Sequence, residues 1–254
     1  MNASAYMMFF RRFEWCLLIL VAGACASSPP PPGVIRIDPR NPPKSVEGPI
    51  TLDFGPFDSY WDALIAACPL ILSQKGARAG HQESMGFDAR WRASTEYCSW
   101  LYYTPDEKYE MSMLVEGPGA VHPDDRYEKV CSAPAFVEDK RYPRKSLKYV
   151  YFLHSHPEVP TNLSKRDLLA IARIKKIHGK FAETREGKVP IGIVAFFANS
   201  HGSLHAGCDG FMEYHLGSTE VVRWMPDGKG GWRKEKAGSV TWTNETAFDF
   251  EPGQ

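Results

Sequence analysis

Two histidines, a serine and an aspartate follow one apolar run, and their types and spacing suit metal chemistry. The run covers residues 149–153 and leads to His154, His156, Ser164 and Asp167. A short run of aromatic and β-branched residues predicts a buried strand, and side chains two positions apart on a strand share a face. The imidazoles of His154 and His156 should therefore point in the same direction.

A helix is predicted after the histidines. Pro157 and Pro160 should end the strand at His156, because proline cannot donate to a sheet ladder. Apolar residues then recur at helical spacing over residues 163–179, which end at a glycine. Asp167 would lie in the first turn of this helix, so that two imidazoles and one carboxylate could converge on one ion.

Two imidazoles and one carboxylate form the ligand set of a catalytic zinc ion, which keeps a fourth position for water. Structural zinc sites usually include cysteines, and the chain has no Cys-x-x-Cys pair. A second interpretation needs no metal, since Ser164 and Asp167 also fit a helix N-cap followed by an acid at the third helical position. These two residues alone do not separate a metal site from a capped helix.

The complete pattern resembles the signature of the JAMM (MPN+) metalloprotease family, His-Ser/Thr-His-x7-Ser-x2-Asp. The residues that match are His154, Ser155, His156, Ser164 and Asp167. The resemblance covers about residues 58–209. It implies an α/β (α+β) fold in which a mixed β-sheet is flanked by helices, as in a cytidine-deaminase-like sandwich. It also implies zinc as the cofactor.

The resemblance further implies a glutamate on an earlier strand, in a context such as Glu-x-Cys-Gly-x-Leu. Glu96 begins the segment Glu-Tyr-Cys-Ser-Trp-Leu, which fits this context with Ser99 in place of the glycine. Glu107, Glu110 and Glu116 are competitors by distance along the chain. The first two lie around a polar turn and the third precedes a Gly-Pro pair, so Glu96 is the preferred candidate.

Hydrolysis of a peptide or isopeptide bond is the activity that the resemblance implies. His154, His156 and Asp167 would hold the zinc ion. Glu96 would take the proton of the attacking water and return it to the leaving amine. Ser164 would donate a hydrogen bond to the developing oxyanion.

Other elements would position these residues. A helix is predicted over residues 57–68, with Asp58 or Ser59 as its cap, and Pro69 should kink or end it. Residues 117–143 form an irregular insertion, either a lid or a purely structural excursion. Strands are predicted over residues 85–92, over 96–103 and 109–115 as a hairpin, over 189–198 beside the strand that precedes His154, and over 213–216 and 220–224.

The N-terminal segment has the pattern of an export signal, predicted over residues 1–24. Two arginines precede an apolar run at residues 15–22, which is too short to span a bilayer comfortably, and small residues follow it. The residues up to Cys25 resemble a bacterial lipobox, which implies cleavage before Cys25 and attachment of lipid to its sulfur. An ordinary signal peptide cut nearby is the alternative, and Met7 or Met8 could be the true start.

A proline-rich tether is predicted over residues 25–49, although residues 34–37 alternate and could add an edge strand. The metallopeptidase-like domain should cover residues 50–254 and end in a β extension. Such a tether would hold the domain away from a membrane surface.

Four cysteines remain once the export signal and the lipid site are set aside. They are Cys68, Cys98, Cys131 and Cys208. An even number permits two disulfides in an oxidising compartment, with three possible pairings. A free thiol at Cys98, lining the site, is the alternative. His201, His205 and His215 lack an acidic partner at motif spacing, and we interpret them as structural or solvent-facing.

The charge balance and the export signal limit the function. With 30 basic and 30 acidic residues, the chain has no basic surplus that would favour nucleic acid. The sequence predicts an exported, lipid-anchored protein of the bacterial cell envelope, in the periplasm or at the outer membrane. Its substrate would be a peptide or protein, with peptidoglycan cross-links as one candidate. The alternatives are an inactive binding module, a secreted effector or toxin with the same site, and a structural lipoprotein.

Overall fold

Three α-helices and sixteen strands form in the part of the chain that the structure describes. The computed structural model describes residues 29–38, 40–50, 53–118, 129–159, 161–198 and 207–253. Within these ranges no helix is long and apolar enough to cross a membrane. The predicted signal and lipobox with Cys25, and the histidines His201 and His205, lie outside the described residues.

The helices are α1 (Tyr60–Leu72), α2 (Phe87–Ala93) and α3 (Lys165–His178). The first eight strands are β1 (Val34–Arg36), β2 (Ser45–Gly48), β3 (Gly80–His81), β4 (Tyr97–Tyr103), β5 (Tyr109–Met111), β6 (Leu114–Glu116), β7 (Phe136–Asp139) and β8 (Lys148–Ser155). The last eight are β9 (Glu158–Val159), β10 (Phe181–Thr184), β11 (Gly187–Pro190), β12 (Gly192–Phe197), β13 (Gly210–His215), β14 (Glu220–Pro226), β15 (Trp232–Trp242) and β16 (Phe248–Pro252).

Ten strands form one mixed sheet in the order β1-β6-β4-β8-β12-β13-β14-β15-β16, with β5 also paired to β4. β8 runs parallel to β12 and β1 runs parallel to β6, while β4 is antiparallel to β8. A parallel pair needs a long crossover connection, and the segment that contains α3 supplies it between β8 and β12. Three small sheets pair β2 with β7, β3 with β9 and β10 with β11.

The predicted fold class, an α/β (α+β) cytidine-deaminase-like sandwich flanked by helices, is wrong. Strands account for 39% of the structure and helices for only 18%, so the sheet dominates. α1 packs mainly on β4, β5, β8 and β12, and α3 packs on β8 and β12, so the helices cover only the middle of the sheet. Residues 210–252 add four strands and no helix, because β-branched and aromatic residues recur there between turns rich in glycine.

β8 lies at the centre of the sheet with both faces covered. Its last seven residues are all buried. Tyr151 and Leu153 belong to the apolar cluster that includes α1, whereas Phe152 belongs to the cluster that includes α3. A strand buried on both faces has a continuous apolar sequence, which is why residues 149–153 predicted this strand correctly.

Helix α1 passes through Pro69, where the sequence predicted a kink or an end. Ser59 is the N-cap, and its hydroxyl accepts two backbone hydrogen bonds. Pro69 has no N–H for the carbonyl of Ile65, which costs about 3 kcal/mol. Ile71 and Leu72 are fully buried beyond it, and burial of each such side chain contributes about 1.5–3 kcal/mol. Continuing the helix therefore stabilises the fold despite the proline.

The strand predicted over residues 85–92 is wrong, because the chain forms helix α2 there. Phe87 and Trp91 stack one turn apart, with ring centroids separated by 5.9 Å. Arg90 donates from Nε to the carbonyl of Ala79 at 2.7 Å. These contacts stabilise a helical turn that the local alternation of the sequence does not reveal.

Several other predictions are confirmed. The helix over residues 163–179 is α3, the hairpin is β4 with β5, and the central partner strand is β12. β13 and β14 are the two later strands. The insertion over residues 117–143 contains β7, and its residues 119–128 lie outside the described part.

The described residues between 33 and 49 contribute two strands to the sheets, although the sequence placed residues 25–49 in a tether. The edge strand suggested at residues 34–37 is confirmed as β1, and Val34 on it is buried. β2 pairs with β7. Val46 on β2 is buried in the apolar cluster that includes α3. The compact unit begins at Gly33, so the predicted boundary at residue 50 falls inside it.

The four described cysteines form two disulfide bonds. Cys68 is bonded to Cys208, and Cys98 is bonded to Cys131. The alternative of a free thiol at Cys98 is therefore wrong. The first bond ties α1 to the start of β13, and the second ties β4 to the insertion that follows β6.

The long-range disulfide should contribute strongly to stability. Cys68 and Cys208 are 140 positions apart, and a bond that closes a long loop restricts the unfolded chain by about 2–4 kcal/mol. Replacing both cysteines by alanine should lower the free energy of unfolding by that amount in a urea titration. Replacing Cys98 and Cys131, only 33 positions apart, should cost less. Mixed pairings in a non-reducing peptide map would contradict this assignment.

Candidate metal centre

The end of β8 holds His154 and His156 on one face of the sheet. His154 lies between Cys98 on β4 and Ala195 on β12. The N–H of His156 donates to the carbonyl of Phe196 at 2.8 Å, just past the end of the strand. This bond extends the alternation of the strand, so that both imidazoles share a face.

Ser155, the middle residue of the motif, has a structural contact. Its side chain lies on the opposite face, and its Oγ accepts a hydrogen bond from the N–H of Tyr97 at 3.0 Å. This bond joins the start of β4 to the end of β8. It also fixes the position of Glu96, which immediately precedes β4.

Asp167 reaches the imidazoles from the first turn of α3. Ser164 is the N-cap, and its Oγ accepts a hydrogen bond from the N–H of Asp167 at 3.2 Å. Asp167 Oδ2 in turn accepts from the N–H of Ser164 at 2.7 Å, which completes a capping box. The capped-helix interpretation from the sequence is thus confirmed. The metal-site interpretation stays a prediction that this geometry allows, because the cap itself holds the carboxylate toward the histidines.

Two imidazoles and one carboxylate converge at this point. His154 Nε2 and His156 Nε2 are 3.0 Å apart. Asp167 Oδ1 lies 3.2 Å from His154 Nε2, and Oδ2 lies 3.3 Å from His156 Nε2. His154 is 2% exposed and His156 is 8% exposed, so the cluster is shielded from bulk water. Within the described residues, this is the group of acidic, histidine and cysteine side chains that could hold a metal ion.

Thr161 orients His156. The Oγ1 of Thr161 lies within hydrogen-bond distance of His156 Nδ1 and donates its own proton to the carbonyl of Asn162 at 3.3 Å. With its proton given to Asn162, this hydroxyl is free to accept from the Nδ1–H of His156. Nε2 is then the nitrogen directed at the cluster. For His154, Nδ1 is buried and has no hydrogen-bond partner among the described residues.

The three groups shift one another's protonation. Burial alone would raise the pKa of Asp167, but its contacts with His154 and His156 hold that pKa well below its usual value. Burial would lower the pKa of His156, but the hydrogen bond and charge of Asp167, with a contribution from Glu96, raise it. Without metal the cluster is therefore an internal ion pair. A metal ion would replace the proton on His156 Nε2, so metal binding should weaken as the pH falls.

Glu96 lies on the same face as the two histidines. Cys98 on β4 pairs with His154 on β8, and extending this antiparallel register by two residues places Glu96 opposite His156. Glu96 is 8% exposed. Its carboxylate also acts on the pKa of His156, which agrees with this position.

The three competing glutamates lie elsewhere. Glu116 pairs with Tyr97 on the opposite face and forms an ion pair with Arg36 at 2.7 Å. Glu110 lies opposite Tyr102, near the far end of β4, and is bound by an arginine at 2.8 Å. Glu107 is exposed in the turn between β4 and β5. Among the four, only Glu96 has a position next to the histidines.

His215 belongs to a separate cluster on the α1 face of the sheet. Glu213 is buried there, and its Oε1 accepts from Tyr151 Oη at 2.7 Å and lies 3.0 Å from His215 Nε2. Its Oε2 accepts from Trp224 Nε1 at 2.8 Å. The sequence interpretation of His215 as structural fits this network, although its acidic partner, two residues earlier, was not recognised.

The chain matches no protein-family model, no curated protein and no solved structure. The likeness to the JAMM family therefore rests on the motif residues and on the sequence around Glu96. The possible chemistry of the site is therefore inferred from its geometry and from this motif.

The sequence interpretation missed Thr161 and the Glu213 cluster. A threonine five residues after a histidine carries no periodic or spacing signal, because its role depends on the path of the loop between β8 and α3. The cluster could have been suspected from Glu213 and His215, which share a face of one strand.

Thr161 should tune metal affinity without being a ligand. Thr161→Val removes the acceptor for His156 Nδ1–H, so affinity for a divalent metal should fall about 10–100-fold. Thr161→Ser keeps the hydroxyl and should bind like the wild type. Competition with a chelating dye measures both. Equal affinities for the valine variant and the wild type would show that His156 is oriented by something else.

Glu213 should make the free energy of unfolding decrease as the pH falls into the acidic range. Burial raises the pKa of Glu213, but hydrogen bonds and charge from His215, and hydrogen bonds from Tyr151 and Trp224, lower it below the ordinary 4.5. A carboxylate with a lowered folded-state pKa stabilises the fold above its unfolded pKa, and this stability is lost as the pH falls through the folded value.

Unfolding in urea should show this loss. Glu213→Gln should be less stable than the wild type at about pH 7, and the gap should narrow as the medium is acidified below the ordinary carboxyl pKa. Glu220→Gln is the matched control, since Glu220 is exposed on the next strand and should leave the profile unchanged. A gap for Glu213→Gln that stays constant with pH would refute the assignment.

Proposed function

We propose that the protein is a zinc-dependent hydrolase that cleaves a peptide or isopeptide bond of its substrate. His154, His156 and Asp167 would hold the zinc ion. The observation that supports this most is the convergence of two imidazole nitrogens and one carboxylate at separations of 3.0–3.3 Å. Ligands about 2.0–2.1 Å from a tetrahedral zinc ion lie roughly 3.3 Å from one another. The three side chains therefore fit one zinc ion with little movement.

The donor set favours a catalytic site over a structural one. Three protein ligands leave a fourth position open, whereas structural zinc sites fill all four. Cys98 lies opposite His154 across the sheet. It is bonded to Cys131, so neither of these cysteines is available as a ligand. When bound, zinc activates water for attack at neutral pH and polarises the scissile carbonyl.

Glu96 supplies the proton transfers. It is buried on the face of the histidines and lies opposite His156 in the register. A carboxylate in this place can accept the proton of the attacking water and deliver it to the leaving nitrogen. Such general acid–base action typically contributes about 10²–10⁴-fold to the rate.

Ser164 supplies a hydrogen bond to the substrate oxygen. Its Oγ accepts from the N–H of Asp167, which leaves the hydroxyl proton to donate outward from the cap. A donor aimed at a developing oxyanion is worth about 3 kcal/mol. The motif similarity to JAMM metalloproteases supports the same roles, although the fold is mainly β-sheet.

The two disulfides support export. Disulfides persist in oxidising compartments, and the N-terminal sequence resembles a lipoprotein signal that ends at Cys25. We therefore place the enzyme in the bacterial cell envelope, held by a lipid anchor. Peptides and proteins of the envelope, including peptidoglycan cross-links, are the corresponding substrates.

Glu96→Gln tests the enzyme proposal. The glutamine keeps the size of the side chain but removes the basic oxygen, so the variant should retain about one zinc per chain and lose hydrolysis at least about a hundredfold. Metal content by mass spectrometry and cleavage of an envelope peptide library measure the two effects.

Two variants serve as controls for this experiment. Asp167→Ala should lose the zinc, because it removes one of three ligands. Glu107→Gln, in the exposed turn, should change neither zinc content nor activity. Loss of zinc in Glu96→Gln would make Glu96 a ligand, and a zinc-loaded wild type without hydrolysis would identify a binding module and not an enzyme.

A further inference from the structure

Lys129 is a buried cation that the proposed chemistry does not use. The residue is 8% exposed, and its Nζ has no hydrogen-bond partner among the described residues. Removing an ammonium group from water is strongly unfavourable unless an anion or other acceptors compensate the lost hydration. An ammonium in this state is a candidate for binding an anionic ligand.

The Cys98–Cys131 disulfide holds the segment that carries Lys129 against β4, the strand that pairs with His154. Cys131 is two residues after Lys129, and its partner Cys98 lies directly opposite His154 in the sheet. The carbonyl of Val130 packs so closely on Gly117 that a Cβ there would come within 2.5 Å of it. The segment that carries Lys129 is therefore tied to β4, the strand that Glu96 immediately precedes.

Gly117 links this segment to Glu96 directly. The N–H of Gly117 donates to the carbonyl of Glu96 at 2.7 Å. Burial lowers the pKa of Lys129, and the charge of Glu96 partly offsets this effect. Since Glu96 also acts on the pKa of His156, one carboxylate lies in the field of both the lysine and the metal ligands.

Trp91 forms a wall beneath the ammonium. Lys129 Nζ lies 5.1 Å from the centroid of the Trp91 ring, where the negative face of the ring attracts the cation. Trp91 belongs to α2, and Arg90 of the same helix donates a hydrogen bond to the carbonyl of Ala79. The N–H of Ala79 in turn donates to the carbonyl of Pro157, which follows His156 in the sequence. This wall orients the ammonium without neutralising its charge.

A cleft that includes Glu116, on the opposite face of β4 from the histidines, carries positive charge. This cleft has a volume of about 500 Å³ and is lined by Gly117, Glu116 and three basic residues. Arg36 is paired with Glu116 at 2.7 Å, which leaves Lys75 and Arg92 as the surplus cations of the lining. Lys129 is not among the residues that line this cleft, so these cations contribute only a long-range attraction for an anionic ligand.

We propose that Lys129 binds a carboxylate of the substrate, so that the site acts on peptide bonds close to a free carboxylate group. The inference rests on the proposed hydrolase function and narrows its substrate class. One ammonium beside the Glu96 carboxylate suits a singly charged carboxylate better than a doubly charged phosphate, since Glu96 repels added negative charge. Peptides that end in a free carboxylate close to the scissile bond are the expected substrates.

Paired ligands test this inference. N-acetyl-Ala-Ala and its C-terminal amide differ only in the carboxylate, and calorimetry can measure the affinity of the purified protein for each, with its zinc content determined beforehand. The wild type should prefer the carboxylate by at least about tenfold, as expected for a hydrogen bond to a charged group. Lys129→Met should abolish this preference, and Lys129→Arg should retain most of it.

Controls separate Lys129 from other sources of binding. Lys188→Met removes an exposed lysine of the β10–β11 hairpin and should leave the preference unchanged. A carboxylate that binds zinc directly would keep its preference in Lys129→Met, and that result would overturn the inference. If the methionine variant does not fold, as judged by circular dichroism, Lys129→Gln takes its place.

The experiment distinguishes a failure of the Lys129 inference from a failure of the enzyme proposal. Zinc-dependent hydrolysis with equal affinity for acid and amide would overturn the role of Lys129 and leave the hydrolase standing. A carboxylate preference that depends on Lys129, in a protein that cleaves no peptide, would overturn the hydrolase and keep the anion site. A wild type that shows no preference for the carboxylate overturns the inference in every case.

Discussion

The reciprocal hydrogen bonds between Ser164 and Asp167 are the constraint on which the candidate site depends. One oxygen of the Asp167 carboxylate accepts from the backbone at the start of α3, so the group cannot turn away from the histidines. The direction of the carboxylate is then set by the helix axis. That axis is held because Leu168, Ile171 and Ile174 pack against the central strands. The geometry of the candidate metal site therefore depends on the N-cap of α3 and on the packing of its apolar face.

The same arrangement explains how a buried carboxylate and two imidazoles are tolerated without metal. A carboxylate removed from water needs a compensating charge or several hydrogen bonds. Asp167 has the Ser164 N–H and two imidazole nitrogens as partners. Protons and a metal ion therefore compete for the same lone pairs, and the protein can fold before it binds metal. Thr161 lowers the cost of this exchange, because it keeps one ring nitrogen of His156 protonated in both states.

The sequence predicted the site better than the architecture around it. His154, His156 and Asp167 could be brought together by reasoning because they depend on two short-range periodicities, that of a strand and that of a helix. The fold class could not be predicted in this way, since the proportion of helix depends on how the strands of the whole C-terminal part pair with one another. Helix α2 and the passage of α1 through Pro69 were missed for the same reason: tertiary contacts of Trp91 and Ile71 outweigh the local signals. The disulfide partners are set by distances across the sheet, which spacing along the chain does not contain.

The alternation of β8 between two cores has a further consequence for the register of the sheet. A slip of one residue between β8 and β4 would exchange the faces of every side chain on the strand. The imidazole of His154 would then enter the apolar cluster beside α1, and Leu153 would face Asp167. Tyr151 would also lose its place beside Glu213. Because such a slip would disrupt two apolar clusters and two polar networks at once, the alignment of the candidate ligands is as secure as the pairing of the central strands.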